Sequence, residues 1–282
     1  MNQKKNLTII NCLASAFIVY FITVPGHELL HVLTSLIYGE KIVLYSALCV
    51  DSVSADYASM SVFDRIMVTG GSASILNAIF GIILLIILLK KQLKPMSRLF
   101  LTQLMGAQLV QGFGYFLIGG LFSVGDWNNV CTALADNPGL VSALRIILSV
   151  IGSGGIVALF FILNRMSYYF IENKEDKKER VSVGFNLHLT ILFVGVIVNT
   201  IATFLNPAIK MGHSSYGTFL LFNFMWIPFL WGFLFTGPMK TLPPKENLFL
   251  FHLPEKPNWI LFGIGAVLIL VDIFVFGPGI FF

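Results

Sequence analysis

The sequence predicts an all-α polytopic membrane protein with about seven transmembrane helices. Of its 282 residues, 56% are hydrophobic and only 11% are charged, whereas soluble domains carry about 25% charged residues. Seven apolar stretches are each close to or longer than the ~20 residues that a helix needs to cross a bilayer. Both observations indicate a multi-pass protein, and we expect it to lie in the cell membrane.

The predicted spans follow one another with short polar connections between them. Their approximate limits are 7–38, 61–89, 99–122, 140–170, 183–205, 218–235 and 259–276. The first is longer than a bilayer requires, and Pro25 predicts a break within it, because proline removes a helical hydrogen bond. We treat residues 1–140 as one predicted region and residues 141–282, with the last four spans, as a second.

The connection between the first two spans has a different composition. Residues 42–45 and 48–50 are apolar and rich in strand-forming side chains, and the polar Ser46 and Asp51 interrupt them. This pattern predicts either a small membrane-associated β-hairpin over residues 41–54 or an ordinary loop.

The most specific pattern is H-E-x-x-H at residues 27–31, inside the first span. His27 and His31 are four residues apart and fall on one face of a helix, so both rings can point at a single Zn²⁺ ion. Glu28 can act as general base on a water molecule at the metal. Ionisable residues inside an apolar span are costly unless they have partners or a water-filled cavity, which favours a functional role.

A catalytic zinc ion usually has three protein ligands, and the motif supplies two of them. Asp126, just after the third span, is the first candidate for the third ligand. A helix rises about 30 Å from Leu7 to His27, which places the motif near the membrane face at which the third span ends. Asp136 is the second candidate. Glu40 is expected to point away from the metal with its loop. His188, His213 and His252 are expected to be ordinary interfacial or hydrogen-bonded histidines.

Cysteines and net charge indicate little about function. Cys12, Cys49 and Cys131 are scattered and form neither a disulfide framework nor a C-x-x-C zinc site. The net charge of +4 comes from residues beside the predicted spans. We therefore expect the lipid bilayer as a partner and no nucleic acid.

Three features of residues 7–140 resemble the site-2 protease family of membrane-embedded zinc metallopeptidases. The H-E-x-x-H motif lies in an early transmembrane helix. A Gly-rich helix ending in Asn77 is similar to the family's Gly-Pro…Asn segment, although Ser72 stands where proline is usual. Asp126, in a Gly-containing turn, is similar to the family's third ligand, although the family's aspartate usually precedes glycine and here Gly125 comes before Asp126.

The resemblance implies a membrane-associated β-structure at residues 41–54 that holds an extended substrate by strand addition. It also implies that Asn77 forms a hydrogen bond with the substrate or with the developing oxyanion. A residue that only packs two helices together is the alternative for Asn77.

The residues and the resemblance together predict an intramembrane zinc metalloprotease. His27, His31 and Asp126 are its expected Zn²⁺ ligands, with Glu28 and Asn77 as catalytic residues. The expected substrates are transmembrane segments or membrane-associated peptides. The alternative is a non-catalytic membrane protein, such as a transporter or binding partner, with a structural metal site.

Lysine and arginine residues are distributed unequally between the two sets of predicted loops. With the N-terminus in the cytoplasm, 14 of the 18 lie in cytoplasmic segments, and the others are Lys41, Arg65, Arg145 and Lys210. The positive-inside rule therefore predicts a cytoplasmic N-terminus and a metal motif in the outer half of the bilayer. Typical site-2 proteases open their site toward the cytosol, so the resemblance predicts the opposite orientation.

Cysteine labelling distinguishes the two orientations. Single cysteines are placed near Lys94 and near Lys210 in protein that lacks the three native cysteines, and intact cells are treated with a membrane-impermeant thiol reagent. We expect labelling near Lys210 and protection near Lys94, because the charge distribution places Lys94 in the cytoplasm. The reverse pattern would invert the topology and turn the site toward the cytosol.

Overall fold

The structure is a computed structural model that describes residues 3–53, 57–212, 215–240 and 256–282. In these parts of the chain, seven helices are long and apolar enough to cross a membrane. We name them span 1 to span 7 in chain order, and they cover Ile9–Ile37, Val62–Lys90, Pro95–Phe122, Pro138–Phe170, Lys177–Lys210, Tyr216–Thr236 and Trp259–Phe276. The seven predicted helices are therefore confirmed.

Several spans change helical geometry along their length. Span 2 consists of Val62–Ile66, a π-helical turn at Met67–Gly71, and Ser72–Lys90. It is kinked at Gly70, whose φ of 151° is not helical. Two other spans contain 3₁₀ segments: span 4 ends in one at Tyr168–Phe170, and span 6 contains one at Phe222–Trp226. Two more contain π-helical turns: span 5 at Phe185–Leu189, and span 7 at its end, Asp272–Phe276.

The predicted break at Pro25 is wrong. One helix, Gln3–Ile37, contains span 1 and continues through Pro25. Proline in a helix interior costs about 3 kcal/mol or more in isolation, but spans 2, 3, 5 and 7 all pack against span 1. In addition, the Tyr45 hydroxyl donates a hydrogen bond to the Pro25 carbonyl oxygen at 2.9 Å. Packing of this kind allows membrane helices to tolerate proline.

The predicted β-hairpin between the first two spans is present. Strand β1 (Lys41–Tyr45) pairs antiparallel with β2 (Val50–Val53), with a register irregularity between Ile42 and Leu44. A third strand that the sequence did not indicate, β3 (Ile280–Phe281), pairs antiparallel with the other edge of β1. The sheet order is β2-β1-β3. Residue 54, at the end of the predicted hairpin segment, lies outside the described residues.

Span 3 is the most enclosed of the seven spans. Glycines bring its backbone close to its neighbours: a Cβ on Gly112 would lie 2.6 Å from Ala78 of span 2, and a Cβ on Gly152 of span 4 would lie 2.4 Å from the Leu117 backbone nitrogen. Small residues allow membrane helices to pack by backbone contact where no hydrophobic effect drives them together. Spans 4 and 7 lie at the periphery, and many of their apolar side chains face outward.

The two predicted regions of the chain pack against each other. Span 7 runs along span 1, where Gly265 lies against Phe17. Span 5 also contacts span 1, and the Tyr20 hydroxyl donates a 2.7 Å hydrogen bond to Asn199 Oδ1. Residues of the second region therefore surround the helix that carries the H-E-x-x-H motif.

The glycine packing gives a stability prediction with a matched control in the same helix. We expect Gly152→Ala to destabilise the protein by about 1–3 kcal/mol, because the new methyl group meets the span 3 backbone. Gly154→Ala should be neutral or slightly stabilising, since nothing lies within 4 Å of a Cβ at that position. The measurement is thermal unfolding of the purified protein in detergent. Equal effects of the two substitutions would contradict this packing.

Candidate metal centre

Two imidazole rings meet on one face of span 1. His27 and His31 are separated by one helical turn, which aligns their side chains. Their Nε2 atoms lie 3.3 Å apart. His27 is 1% exposed, and His31 is 13% exposed. The helix thus presents two ring nitrogens to a single point.

Asp126 reaches this point from a tight turn at the end of span 3. Ser123 adopts a left-handed conformation (φ 55°), and Gly125 has a φ of 69°. The turn leads into a short helix, Asp126–Ala133. The first residue of this helix places its carboxylate Oδ2 3.0 Å from His27 Nε2 and 3.2 Å from His31 Nε2.

The kink in span 2 makes room for the short helix. A Cβ on Gly70 would lie 2.7 Å from the Asp126 Cβ and 2.8 Å from the Asp126 carbonyl oxygen. The φ of Gly70 is also one that only glycine adopts readily. Trp127, the next residue, donates a 2.9 Å hydrogen bond from its indole nitrogen to Ser74 Oγ. These contacts hold Asp126 against the histidines.

The three side chains fit a zinc ion. Their donor atoms are 3.0, 3.2 and 3.3 Å apart, and tetrahedral ligands at zinc bond lengths of 2.0–2.1 Å are separated by about 3.3 Å. They are the one group of three or more His, Cys, Asp or Glu residues among the described residues with donor atoms close enough to share a metal ion. Two histidines and one carboxylate are the ligand set of many catalytic zinc sites.

Electrostatics favour an ionised Asp126. Burial raises the pKa of its carboxyl, but the charges of His31 and His27 and their hydrogen bonds outweigh burial and hold the pKa well below its usual range. A deprotonated carboxylate is the form that binds a metal ion.

Asn77 lies beside the candidate metal ligands and does not border the large cavity. It is buried, and its side-chain Nδ2 is 3.0 Å from His27 Nδ1. A histidine that binds a metal through Nε2 carries its proton on Nδ1 and donates it to a neighbour. Rotating the Asn77 amide by 180° presents Oδ1 as that acceptor, since the two amide orientations have the same shape. This position supports a role in orienting His27. The predicted hydrogen bond from Asn77 to the substrate or to the developing oxyanion stays a prediction.

Glu28 faces a cavity of about 900 Å³. The side chain is 5% exposed and makes no hydrogen bond to the described residues. His31 and Asp126 border the same cavity, and other walls come from β2, the turn after span 3, the short helix Asp126–Ala133, and the facing ends of spans 5 and 6. Two of the three candidate ligands, His31 and Asp126, therefore share one water-accessible space with Glu28.

Cys49 also borders the cavity. Burial raises the pKa of its thiol to about 11, and its Sγ lies 3.1 Å from Ser46 Oγ. The thiol is therefore protonated near neutral pH, whereas metal ions bind the thiolate.

The other residues considered from the sequence have different partners. Asp136 forms an ion pair with Arg65 at 3.0 Å, and Glu40 accepts hydrogen bonds from Ser52 and Tyr57. His188 lies 2.6 Å from Ser167 Oγ, inside the bundle. His213 and His252 lie outside the described residues.

Three residues at the site were not identified from the sequence. Tyr115 of span 3 stacks on the His27 ring, with ring centroids 4.5 Å apart. Gln111 and Asn199 border a small space behind Glu28. They lie in apolar stretches without a motif. An unpaired polar residue in a predicted span is the one signal that would have drawn attention to Gln111 and Asn199.

Comparison with models of protein families, with curated proteins and with solved structures found no match to this chain. The resemblance to site-2 proteases therefore stays a prediction from the motif residues.

Metal analysis tests the ligand set. We expect the purified protein to bind about one zinc ion per chain, and Asp126→Ala and His31→Ala to lose it, because each removes one of three converging donor atoms. Asp136→Ala is the matched control, since Asp136 is held by Arg65 outside the cluster. Elemental mass spectrometry of purified protein is the measurement. If Asp136→Ala lost the metal and Asp126→Ala kept it, the third ligand would be Asp136 and not Asp126.

Proposed function

We propose that this protein is an intramembrane zinc metalloprotease that hydrolyses peptide bonds in transmembrane or membrane-associated segments. The observation that carries the proposal is the convergence of His27, His31 and Asp126 beside an unpaired glutamate at the wall of a large cavity. A zinc ion bound there would polarise the scissile carbonyl and lower the pKa of a water molecule.

Glu28 is the proposed general base. It neighbours His27 in the chain and faces the same cavity as His31 and Asp126. Its carboxylate accepts a proton from the attacking water and then transfers it to the amine that leaves. The absence of a hydrogen-bond partner among the described residues leaves both carboxylate oxygens available for these transfers.

The cavity also suits an extended peptide. Val50, Asp51 and Ser52 of β2 border it, and β2 is an edge strand of the sheet. An edge strand offers unpaired backbone groups on one side, and a substrate segment can pair with them as an added strand. Such pairing unwinds a helical substrate and brings its backbone toward Glu28. The proposed partners are thus membrane proteins or peptides, together with the lipid bilayer.

The rival function is a non-catalytic membrane protein with a structural metal site. Structural zinc sites generally have four protein ligands and no open position. The described residues supply three donors, and two of them, from His31 and Asp126, border a cavity of about 900 Å³. A structural site also has no use for an unpaired carboxylate beside it. The arrangement therefore favours hydrolysis.

Substitution of the proposed base is the direct test. We expect Glu28→Gln to lower the rate of peptide hydrolysis by about 10²–10⁴-fold, since glutamine keeps the size of the side chain and cannot accept the proton. Zinc content and thermal stability should be unchanged. The measurement is cleavage of a transmembrane-segment library by purified protein in proteoliposomes, followed by mass spectrometry.

Glu40→Gln is the matched control. Glu40 is as buried as Glu28, but Ser52 and Tyr57 hold it apart from the candidate ligands. Its substitution should leave the rate near that of the wild type. Normal cleavage by Glu28→Gln would remove Glu28 from the mechanism, and zinc-containing wild-type protein without any cleavage would favour the rival function.

A further inference from the structure

A second and much smaller cavity lies behind Glu28. It provides about 10 Å³ for the centre of a water molecule, and spans 1, 3, 5 and 6 enclose it together with Leu48. A space that admits the centre of a water molecule is large enough to hold one. Size alone does not make such a space a water site, because a water molecule also needs two to four polar partners.

Five polar side chains border this cavity: His27, Glu28, Gln111, Tyr115 and Asn199. The His27 ring is in contact with Asp126, His31 and Asn77, and three of the other residues, Glu28, Gln111 and Asn199, can supply those partners. Glu28 brings a carboxylate without a hydrogen bond to the described residues. Gln111 brings Oε1, which is buried and has no hydrogen-bond partner in the described part of the chain. Two residues on the cavity wall thus carry acceptor atoms that need a donor.

Asn199 contributes the complementary group. Its Oδ1 accepts the 2.7 Å hydrogen bond from the Tyr20 hydroxyl. In this orientation of the amide, Nδ2 is the atom left to donate, and within the described residues it makes no hydrogen bond. One donor and two acceptors around a water-sized space match the two protons and the lone pairs of one water molecule.

We propose that this cavity binds one water molecule that positions the Glu28 carboxylate. The water donates one hydrogen bond to Glu28 and one to Gln111 Oε1, and it accepts one from Asn199 Nδ2. Gln111 and Asn199 are therefore positioning residues that act on Glu28 through the water, and Tyr20 orients Asn199. The inference rests on the proposed role of Glu28 as general base.

This site gives span 5 a role in the reaction. The metal ligands come from span 1 and from the short helix after span 3, whereas Asn199 lies in the second half of the chain. When the water in the small cavity binds the Glu28 carboxylate, the remaining lone pairs of the carboxylate point toward the large cavity. Without that support, Glu28 rotates among several side-chain conformations, and fewer of them place the carboxylate for proton transfer.

Kinetics of Gln111→Leu test the positioning role. Leucine has a similar size and no acceptor. We expect kcat to fall about ten-fold or more, with KM and zinc content at wild-type values, because substitution of a supporting partner typically costs 10–100-fold in activity. Asn199→Asp replaces the donor with an acceptor of the same shape and should have the same effect.

Gln108→Leu is the matched control. Gln108 is a buried glutamine of the same helix that borders neither cavity. It should show wild-type kcat and KM. A wild-type kcat in Gln111→Leu would overturn the proposal, as would an equal loss of kcat in both glutamine variants.

A high-resolution structure of the wild-type chain gives a readout that does not depend on activity. We expect density for one solvent molecule within hydrogen-bond distance of Glu28, Gln111 Oε1 and Asn199 Nδ2, and no such density in Gln111→Leu. Lack of this density in the wild type would overturn the inference. If the density is present but the zinc-loaded protein cleaves no peptide, the water site stands and the proposed protease function fails.

Discussion

The backbone contact between span 2 and the helix Asp126–Ala133 is the constraint on which the candidate metal centre depends. Gly70 lets the two segments approach until a side chain at that position would overlap Asp126. A Cβ on Gly71 would likewise lie 3.3 Å from the Trp127 ring. A displacement of about one ångström would separate donor atoms that now lie 3.0–3.3 Å apart, and zinc coordination tolerates only a few tenths of an ångström. The glycines of span 2 therefore help to position Asp126 at the candidate metal centre.

Three pairs of polar side chains lie around this contact. Asn77 faces His27, Tyr20 holds Asn199, and Trp127 donates to Ser74. An unpaired polar group in an apolar environment is costly, so each pair stabilises an arrangement that the apolar surroundings would otherwise disfavour. Gln111 Oε1 is one of several buried polar atoms without a partner among the described residues, Glu28 makes no hydrogen bond to them, and both residues border a cavity. Departures from local rules often mark functional positions.

The sequence predicted the seven helices and the hairpin because long apolar stretches and strand-rich segments depend on local composition. It also ranked Asp126 above Asp136, and the structure brings Asp126 to the histidines, because the ends of two spans must share a membrane face. The continuous helix at Pro25 could not be predicted, since it depends on neighbouring spans. The same holds for Asn77, whose partner is 50 residues distant. No local pattern pointed to Gln111 or Asn199 as neighbours of Glu28, because only the packing of several spans brings them together.

Strand β3 has a consequence for how the protein is made. It follows span 7 in the chain, yet it pairs with β1, which precedes span 2. Synthesis proceeds from the N-terminus, so β1 and β2 leave the ribosome long before the segment that completes their sheet. Until then, one edge of β1 is open to pairing with other chains. Contacts between such distant residues form slowly. Closure of the sheet is therefore a late step of biogenesis, and it takes place only once the last span has been inserted.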